Sequence, residues 1–140
     1  MSNVRKRERS THRLTVLDRA LDLYEHTTNL LANEKYNKPN MRVLTIKIDN
    51  AATIIYHNCR SANEDLDAGK PDEARMRLEL QVEALRQCKW LKTYIMMAKR
   101  KLHLRWNSVY YWKSLADNAK DIIEAWHKSE IKSSRKNHGL

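Results

Sequence analysis

The chain has 140 residues, 41% hydrophobic and 31% charged, and its 27 Lys and Arg against 17 Asp and Glu give a net charge of +10. One domain is expected at this length. Only two Gly and two Pro are present. This argues against β-sandwiches and barrels, which need turn residues at short intervals, and against Gly-rich nucleotide loops. The longest apolar run, residues 94–98, is too short to span a bilayer. We therefore expect a cytoplasmic helical protein.

The N-terminal segment, residues 1–13, holds five basic side chains and no apolar core. We expect a flexible basic tail there rather than a secretory signal. A first helix is predicted over residues 15–34, because apolar side chains recur every three or four positions. This stripe comprises Leu14, Leu17, Leu21, Tyr24, Thr28 and Leu31. Thr15 followed by Asp18 predicts an N-cap with an acidic residue in the first turn. Residues 37–40 break the pattern.

A second helix is predicted over residues 40–66. Its stripe comprises Met41, Leu44, Ile48, Ala51, Ile55, Cys59 and Ala62. Residues 44–48 also alternate between apolar and polar, as a strand would, but no second segment offers a strand to pair with. After this helix, Gly69 suits a helix C-terminus and Pro71 suits the first turn of the next helix.

Two more helices are predicted, over residues 71–103 and 108–131. The stripe of the third comprises Leu78, Val82, Leu85, Cys88, Leu91, Ile95, Ala98 and Leu102. That of the fourth comprises Val109, Trp112, Ala116, Ala119, Ile123 and Trp126. The chain becomes polar and basic after Ser129, so residues 132–140 are expected to form a frayed basic tail.

Four amphipathic helices with short connections predict an all-α fold, an up-down-up-down antiparallel four-helix bundle over residues 14–131. The predicted core comprises Leu17, Leu21, Ile48, Ile55, Leu85, Ile95, Ile123 and Trp126. Cys59 and Cys88 are too few for a disulfide scaffold and are expected to be buried, reduced thiols.

The second and third helices carry more apolar residues than one buried face requires, which indicates either a wide core or a partner surface. The surplus includes Val43, Ile46, Ile54, Leu80, Trp90 and Tyr94. A bundle completed only on oligomerisation is therefore an open alternative.

Signatures of an enzyme, a cofactor site or a metal site are weak. Gly69-Lys70 lacks the upstream glycine of a phosphate-binding loop. A di-iron bundle needs two Glu-x-x-His motifs, and the chain has one, which ends at His127. A zinc set could be drawn from His57, Cys59, Cys88 and His103, but their spacing matches no compact pattern. We expect a non-enzyme without cofactor or metal.

Positive charge is concentrated in the second half of the chain. Residues 84–120 hold nine bases and one acid, Asp117, whereas the rest holds eighteen bases and sixteen acids. Segregated positive charge is the footprint of a polyanionic partner. Trp106 and Tyr110 lie among these bases, and such aromatics can stack on nucleobases. The predicted nucleic-acid-binding residues are Arg86, Lys89, Lys92, Lys99, Arg100, Lys101, Arg105 and Lys113. A second basic cluster lies within residues 5–13.

Particular residues carry a resemblance to a known family. Residues 35–39 read Lys-Tyr-Asn-Lys-Pro, residues 110–115 read Tyr-Tyr-Trp-Lys-Ser-Leu, and residues 122–129 read Ile-Ile-Glu-Ala-Trp-His-Lys-Ser. Together with the helix order, they resemble the accessory variability determinant (Avd) family of diversity-generating retroelements over residues 14–130. The related 23S rRNA intervening-sequence proteins carry a Ser-Ile-Pro-Ala-Asn stretch where this chain has Asp-Asn-Ala-Ala at 49–52, which favours the retroelement branch.

The resemblance implies a non-catalytic homopentamer of four-helix bundles. Such proteins bind the element's reverse transcriptase and nucleic acid, and they support mutagenic reverse transcription of template RNA into cDNA. On this view the surplus apolar residues form the subunit interface and the basic residues form the nucleic-acid contacts. No membrane partner is expected. The alternatives are a helical protein-binding adaptor and an rRNA intervening-sequence-type protein.

Overall fold

Four long helices make up the protein. A computed structural model describes the backbone of residues 2–139 and the side chains of residues 15–139. The helices are α1 (Ser2–Leu31), α2 (Pro39–Glu64), α3 (Pro71–Lys101) and α4 (Trp106–His138), with a short 3-10 helix, Glu34–Tyr36, before α2. Each helix packs against the next, and α1 packs against α4. The chain therefore forms an up-down-up-down four-helix bundle, which confirms the predicted fold class.

The outer helices are longer than the sequence pattern predicts. Helix α1 begins at Ser2, so Thr15 is not its N-cap, since no Gly or Pro interrupts the preceding residues. The side chains of residues 1–14 lie outside the described residues, and the flexibility of that segment stays a prediction. Helix α4 continues to His138 instead of Ile131.

A contact and a cap hold the C-terminal extension of α4. A ring nitrogen of His138 lies 2.9 Å from the carbonyl oxygen of Ala68, in the turn between α2 and α3. Gly139 then ends the helix with a left-handed φ of 67°, a conformation that glycine adopts without steric cost. The extension is therefore packed onto the body of the bundle at that turn.

Proline begins two of the four helices, at Pro71 as predicted and at Pro39, which the sequence predicts to lie in the break before the second helix. Pro39 and Pro71 lie in the first turns of α2 and α3, where a missing backbone N–H costs nothing. Helix α2 ends at Glu64 with Asp65 as its C-cap, so Gly69 does not end a helix. Its N–H instead donates to Oδ1 of Asp67 at 2.8 Å and closes a tight turn.

The buried faces of α2 and α4 confirm the predicted stripes. All seven predicted positions of α2 are buried, from Met41 to Ala62. In α4 the five positions from Val109 to Ile123 are buried, while Trp126 is partly buried and packs against the core. Of the predicted core residues, four are fully buried: Ile48, Ile55, Ile95 and Ile123.

The buried face of α1 was predicted one residue out of register. The core receives Val16, Ala20, Leu23 and Thr27, each one position before a residue of the predicted stripe. Leu17 and Leu21 are only partly buried. The small side chain of Ala20 lets α1 approach the neighbouring helices closely. Larger side chains flank Ala20 on both sides, so the apolar surface of α1 is wider than one stripe.

The first half of α3 shows the same displacement. Ala74, Arg77, Gln81 and Ala84 are buried, whereas Val82 is 45% exposed and Leu78 and Leu85 are partly buried. From Cys88 to Leu102 the predicted stripe is correct. The pattern fails where the bundle buries polar side chains that hydrophobic periodicity cannot identify.

Cys59 and Cys88 are buried free thiols, as predicted. Burial raises the pKa of the Cys88 thiol to about 12, and burial together with the nearby Cys88 raises the pKa of Cys59. Thiolate is the reactive form of cysteine, so both side chains act as small hydrophobic residues.

Candidate nucleic-acid interface

Four of the eight candidate basic residues lie at the turn between α3 and α4. Leu102 and Leu104 are buried and anchor this turn in the core. His103 between them has a left-handed φ of 56°, and the N–H of Leu104 donates to the carbonyl oxygen of Lys99 at 3.1 Å. This is the hydrogen bond that closes a Schellman-type helix end. The fixed turn displays a set that we call the basic end, namely Lys99, Arg100, Lys101 and Arg105.

Aromatic rings lie directly beside the basic end. The Nζ of Lys99 lies 5.1 Å from the ring centroid of Trp106, which is a cation–π geometry. Trp106 stacks on Tyr110 with 5.5 Å between ring centroids and 23° between ring planes. The two residues are 50% and 61% exposed. Trp106 and Tyr110 therefore form an aromatic pair that is open to a ligand.

A groove of about 1410 Å³ joins the basic end to the start of α2. Its apolar lining comprises Val43, Leu44, Met96, Met97, Leu104 and Trp106. Its basic lining comprises Lys47, Lys99, Arg100 and Lys101. Of the described residues that line the groove, none is acidic. The groove thus combines apolar surface with unneutralised positive charge.

The start of α4 has no local negative charge. Its N-cap residue, Arg105, makes no side-chain capping hydrogen bond, and its first turn holds no acidic residue. The N-terminus of a helix carries partial positive charge and free N–H groups. The C-terminus of α3 lies at the same end and carries the opposite partial charge, so the positive potential of the basic end comes from its side chains.

The other predicted nucleic-acid contacts are spread along the bundle. Lys92 forms an ion pair with Asp117 of α4, with 2.6 Å between Nζ and Oδ1, so its charge is largely balanced within the fold. Arg86 pairs with Glu83 at 3.1 Å on the surface of α3. Lys89 is exposed and Lys113 is partly buried. The eight predicted residues therefore form no single patch, and four of them form the basic end.

The residues predicted to form the subunit interface fall into an exposed group and a partly buried group. Val43, Ile46 and Trp90 are 66%, 54% and 51% exposed. Ile54, Leu80 and Tyr94 are partly buried. Tyr94 packs against the core and stacks on Trp90, with 5.9 Å between ring centroids. Val43 lines the groove. Val43 and Ile46 on α2 and Trp90 on α3 thus keep about half or more of their surface exposed in the single chain.

Sequence reasoning missed Lys47 and the two methionines of the groove as candidate site residues. Lys47 lies on α2, far along the chain from Met96 and Met97, and it comes close to them because α2 and α3 run antiparallel. The up-down order alone places the start of α2 beside the end of α3. The predicted topology, taken together with the charge pattern, is therefore the signal that could have identified these residues.

A buried polar cluster ties α3 to α4 toward the opposite end of the bundle. The Arg77 guanidinium, 2% exposed, forms an ion pair with Glu130 of α4, and its Nη1 donates to the carbonyl oxygens of Ala62 and Leu66. Gln81 Nε2 donates to Glu130 Oε2 at 2.9 Å. The charges are paired and hydrogen-bonded within the fold, so we assign this cluster a structural role.

His127 completes that cluster. Because the amide nitrogen of Gln81 faces Glu130, the Gln81 Oε1 faces His127 and accepts a hydrogen bond from its Nδ1–H, with 2.8 Å between the two atoms. Burial lowers the pKa of His127, and the Glu130 carboxylate partly opposes this. Among the residues with described side chains, no three His, Cys, Asp or Glu lie close enough together to hold a metal ion. The zinc set weighed from the sequence is therefore not assembled there.

Comparisons with protein-family profiles, with curated proteins and with solved structures find no match to this chain. They lend no support to the resemblance to the Avd or intervening-sequence families, and the structure supports only the four-helix fold. Within the described part of the chain, no helix has the length and apolar character needed to cross a bilayer.

Proposed function

We propose that this protein is a non-catalytic nucleic-acid-binding protein that holds RNA or cDNA at its basic end. The observation that supports this most directly is the acid-free groove beside Lys99, Arg100 and Lys101, with the Trp106–Tyr110 pair at its edge. Phosphate contacts by Lys and Arg release condensed counterions and dominate nucleic-acid affinity. The Avd resemblance makes a diversity-generating retroelement the proposed context, with a reverse transcriptase as protein partner and a homopentamer as the assembly.

The test compares two sets of four neutralising substitutions. The first changes the basic end, Lys99, Arg100, Lys101 and Arg105, to Gln. The matched control changes four bases on the opposite half of α4 to Gln: Lys128, Lys132, Arg135 and Lys136. Both variants lose four positive charges, so they separate a local site from an effect of net charge.

Binding of a labelled RNA is measured by fluorescence anisotropy over a salt series. We expect the basic-end variant to lose most of its affinity for RNA. The slope of log affinity against log salt concentration should become shallower by about three, since each lost phosphate contact lowers its magnitude by about 0.7 to 0.9. The control variant keeps a slope close to that of the unmodified protein. Wild-type-like RNA retention by the basic-end variant, with helicity intact, would defeat the proposal.

A helical protein-binding adaptor is the second candidate, and the exposed Val43 and Ile46 on α2 favour it. Contiguous exposed apolar side chains mark protein–protein contacts. An adaptor would show little salt-sensitive affinity for polyanions. Light scattering at low and high salt tests the assembly, because a stable monomer at both would contradict the homopentamer. A reverse-transcriptase gene and a pair of near-identical repeats beside the coding sequence would favour the retroelement context.

A further inference from the structure

The exposed aromatic pair Trp106–Tyr110 lies outside the buried core of the bundle. The buried positions of this part of α4 are Val109 and Trp112, and the pair lies on another face of the helix. About half of each side chain or more is exposed to solvent. Large aromatic rings that stay exposed gain no hydrophobic stabilisation from burial. We therefore expect this pair to contact a ligand.

The surroundings of the pair define the chemistry of that ligand. Lys99 Nζ lies over the Trp106 ring, and Trp106 also lines the acid-free groove with Arg100 and Lys101. Stacking platforms flanked by cations are the feature by which proteins bind single-stranded nucleic acids. A base can stack on the aromatic pair while the neighbouring phosphates lie against the basic side chains.

A double helix could use only the basic side chains of this arrangement. In a duplex the faces of the bases are covered by their neighbours, and a protein reaches only base edges and phosphates. The aromatic pair would gain nothing from such a partner. We therefore propose, building on the proposed function, that the basic end binds unpaired, single-stranded nucleic acid in preference to duplex by stacking bases on Trp106 and Tyr110.

The size of the groove agrees with a chain rather than a small molecule. Its volume of about 1410 Å³ exceeds the roughly 300–1,000 Å³ of a typical small-molecule pocket. Val43, Met96 and Met97 give it an apolar wall, and methionine adapts its shape to different ligands. Such a wall accepts bases of any identity, so little sequence preference is expected.

The experiment measures anisotropy of a labelled 12-nucleotide strand and of the same strand paired with its complement, at equal salt. The full chain is compared with the double variant Trp106→Leu/Tyr110→Leu, which keeps apolar side chains but removes both ring faces. We expect the double variant to lose about 10- to 100-fold affinity for the single strand, because stacking on one aromatic ring contributes on this scale. Its weaker duplex binding should be unchanged.

Two further variants keep the test interpretable. Tyr111→Leu, which removes an equally exposed ring from the same helix, should leave single-strand affinity unchanged. Trp106→Phe/Tyr110→Phe, which keeps both ring faces, should retain most of it. Circular dichroism and thermal melting confirm that each variant is folded.

The possible failures are distinguishable. The inference is overturned if the protein binds the single strand and the duplex with equal affinity. It is also overturned if the double variant keeps its full affinity for the single strand. Either result leaves the proposed function standing. Equal affinity for a polyglutamate chain of the same length would also overturn the inference, since that polymer has charge but no bases. If neither strand nor duplex binds at low salt, the proposed function itself fails.

Discussion

At the scale of single residues, two neighbouring polar side chains on α1, the buried Thr27 and the partly buried His26, differ in their hydrogen bonding. Thr27 accepts a hydrogen bond from Nε1 of Trp112 at 3.0 Å and donates to the carbonyl oxygen of Leu23 at 2.7 Å. His26 lies one residue earlier, with its ring edge-on to Tyr111 at 5.0 Å between centroids. Among the residues with described side chains, its buried Nε2 has no hydrogen-bond partner. A buried polar atom without a partner lowers stability.

Burial lowers the pKa of His26 below its usual value of 6.5. Below about pH 6.5 the unfolded chain therefore binds more protons at this position than the folded chain, and stability falls as the solution is acidified. Above that pH the ring is neutral in both states, and this contribution to the pH dependence vanishes.

We predict that His26→Phe raises the melting temperature at pH 7.5 and reduces its loss between pH 7.5 and pH 5.5. The substitution removes the unpartnered nitrogen and the titration while keeping a ring against Tyr111 and Trp112. Thermal melting at both pH values measures the two effects. His57→Phe is the control for replacing a histidine by phenylalanine, because His57 is exposed, and it should not raise the melting temperature at pH 7.5. A His26→Phe variant that is less stable at both pH values would contradict the account.

At the scale of elements, the position of α4 on α3 depends on the Arg77–Glu130 ion pair as well as on apolar packing. The pair lies where the predicted stripe of α3 fails, and Arg77 also ties α3 to the end of α2 through carbonyl oxygens. The guanidinium lies 5.9 Å from the ring centroid of Trp126. Three helices thus meet at one buried charged side chain.

We predict that Arg77→Met lowers the free energy of unfolding by about 3–5 kcal/mol, because it leaves the Glu130 carboxylate without its partner. The double variant Arg77→Met/Glu130→Leu should recover part of this loss, because replacing both charges with apolar groups leaves no unpaired charge. Urea unfolding followed by circular dichroism measures both. Equal destabilisation by the single and the double variant would show that packing, rather than an unpaired charge, explains the loss.

At the scale of the whole molecule, positive charge opposes compactness. The net charge is +10, and the basic end places four positive side chains within seven consecutive residues. Such self-repulsion destabilises a compact state, and dissolved salt screens it. The same side chains are proposed to hold phosphate, so the charge that favours binding costs stability when no ligand is bound.

We predict that the protein becomes more stable as the salt concentration rises from about 0.1 M to 1 M, over which the Debye length falls from about 10 Å to about 3 Å. RNA affinity should fall over the same range. Thermal melting in a sodium chloride series measures the first effect, and the basic-end variant should show a smaller rise. Stability that decreases with salt would instead mean that surface ion pairs, such as Arg60–Glu64, outweigh the repulsion.

Much of the bundle follows from the sequence alone. Apolar spacing predicts four helices, their order and the buried faces of α2 and α4, because a helix with one clear stripe can bury it in only one way. Pro39 and Pro71 mark two helix starts, because proline is tolerated in the first turn and breaks a helix interior. The charge pattern likewise identifies the basic residues near the end of α3.

Only the tertiary structure decides the remaining features. Arg77 and Gln81 become core residues because Glu130 lies opposite them, and no local pattern shows a partner so distant along the chain. In the same way, Lys47 joins the groove because α2 lies antiparallel to α3, while Lys92 is engaged by Asp117 of α4. The spacing of apolar residues indicates which face of a single helix can be buried. Charge pairing and grooves are properties of two or more helices together, so they are fixed only when the helices pack.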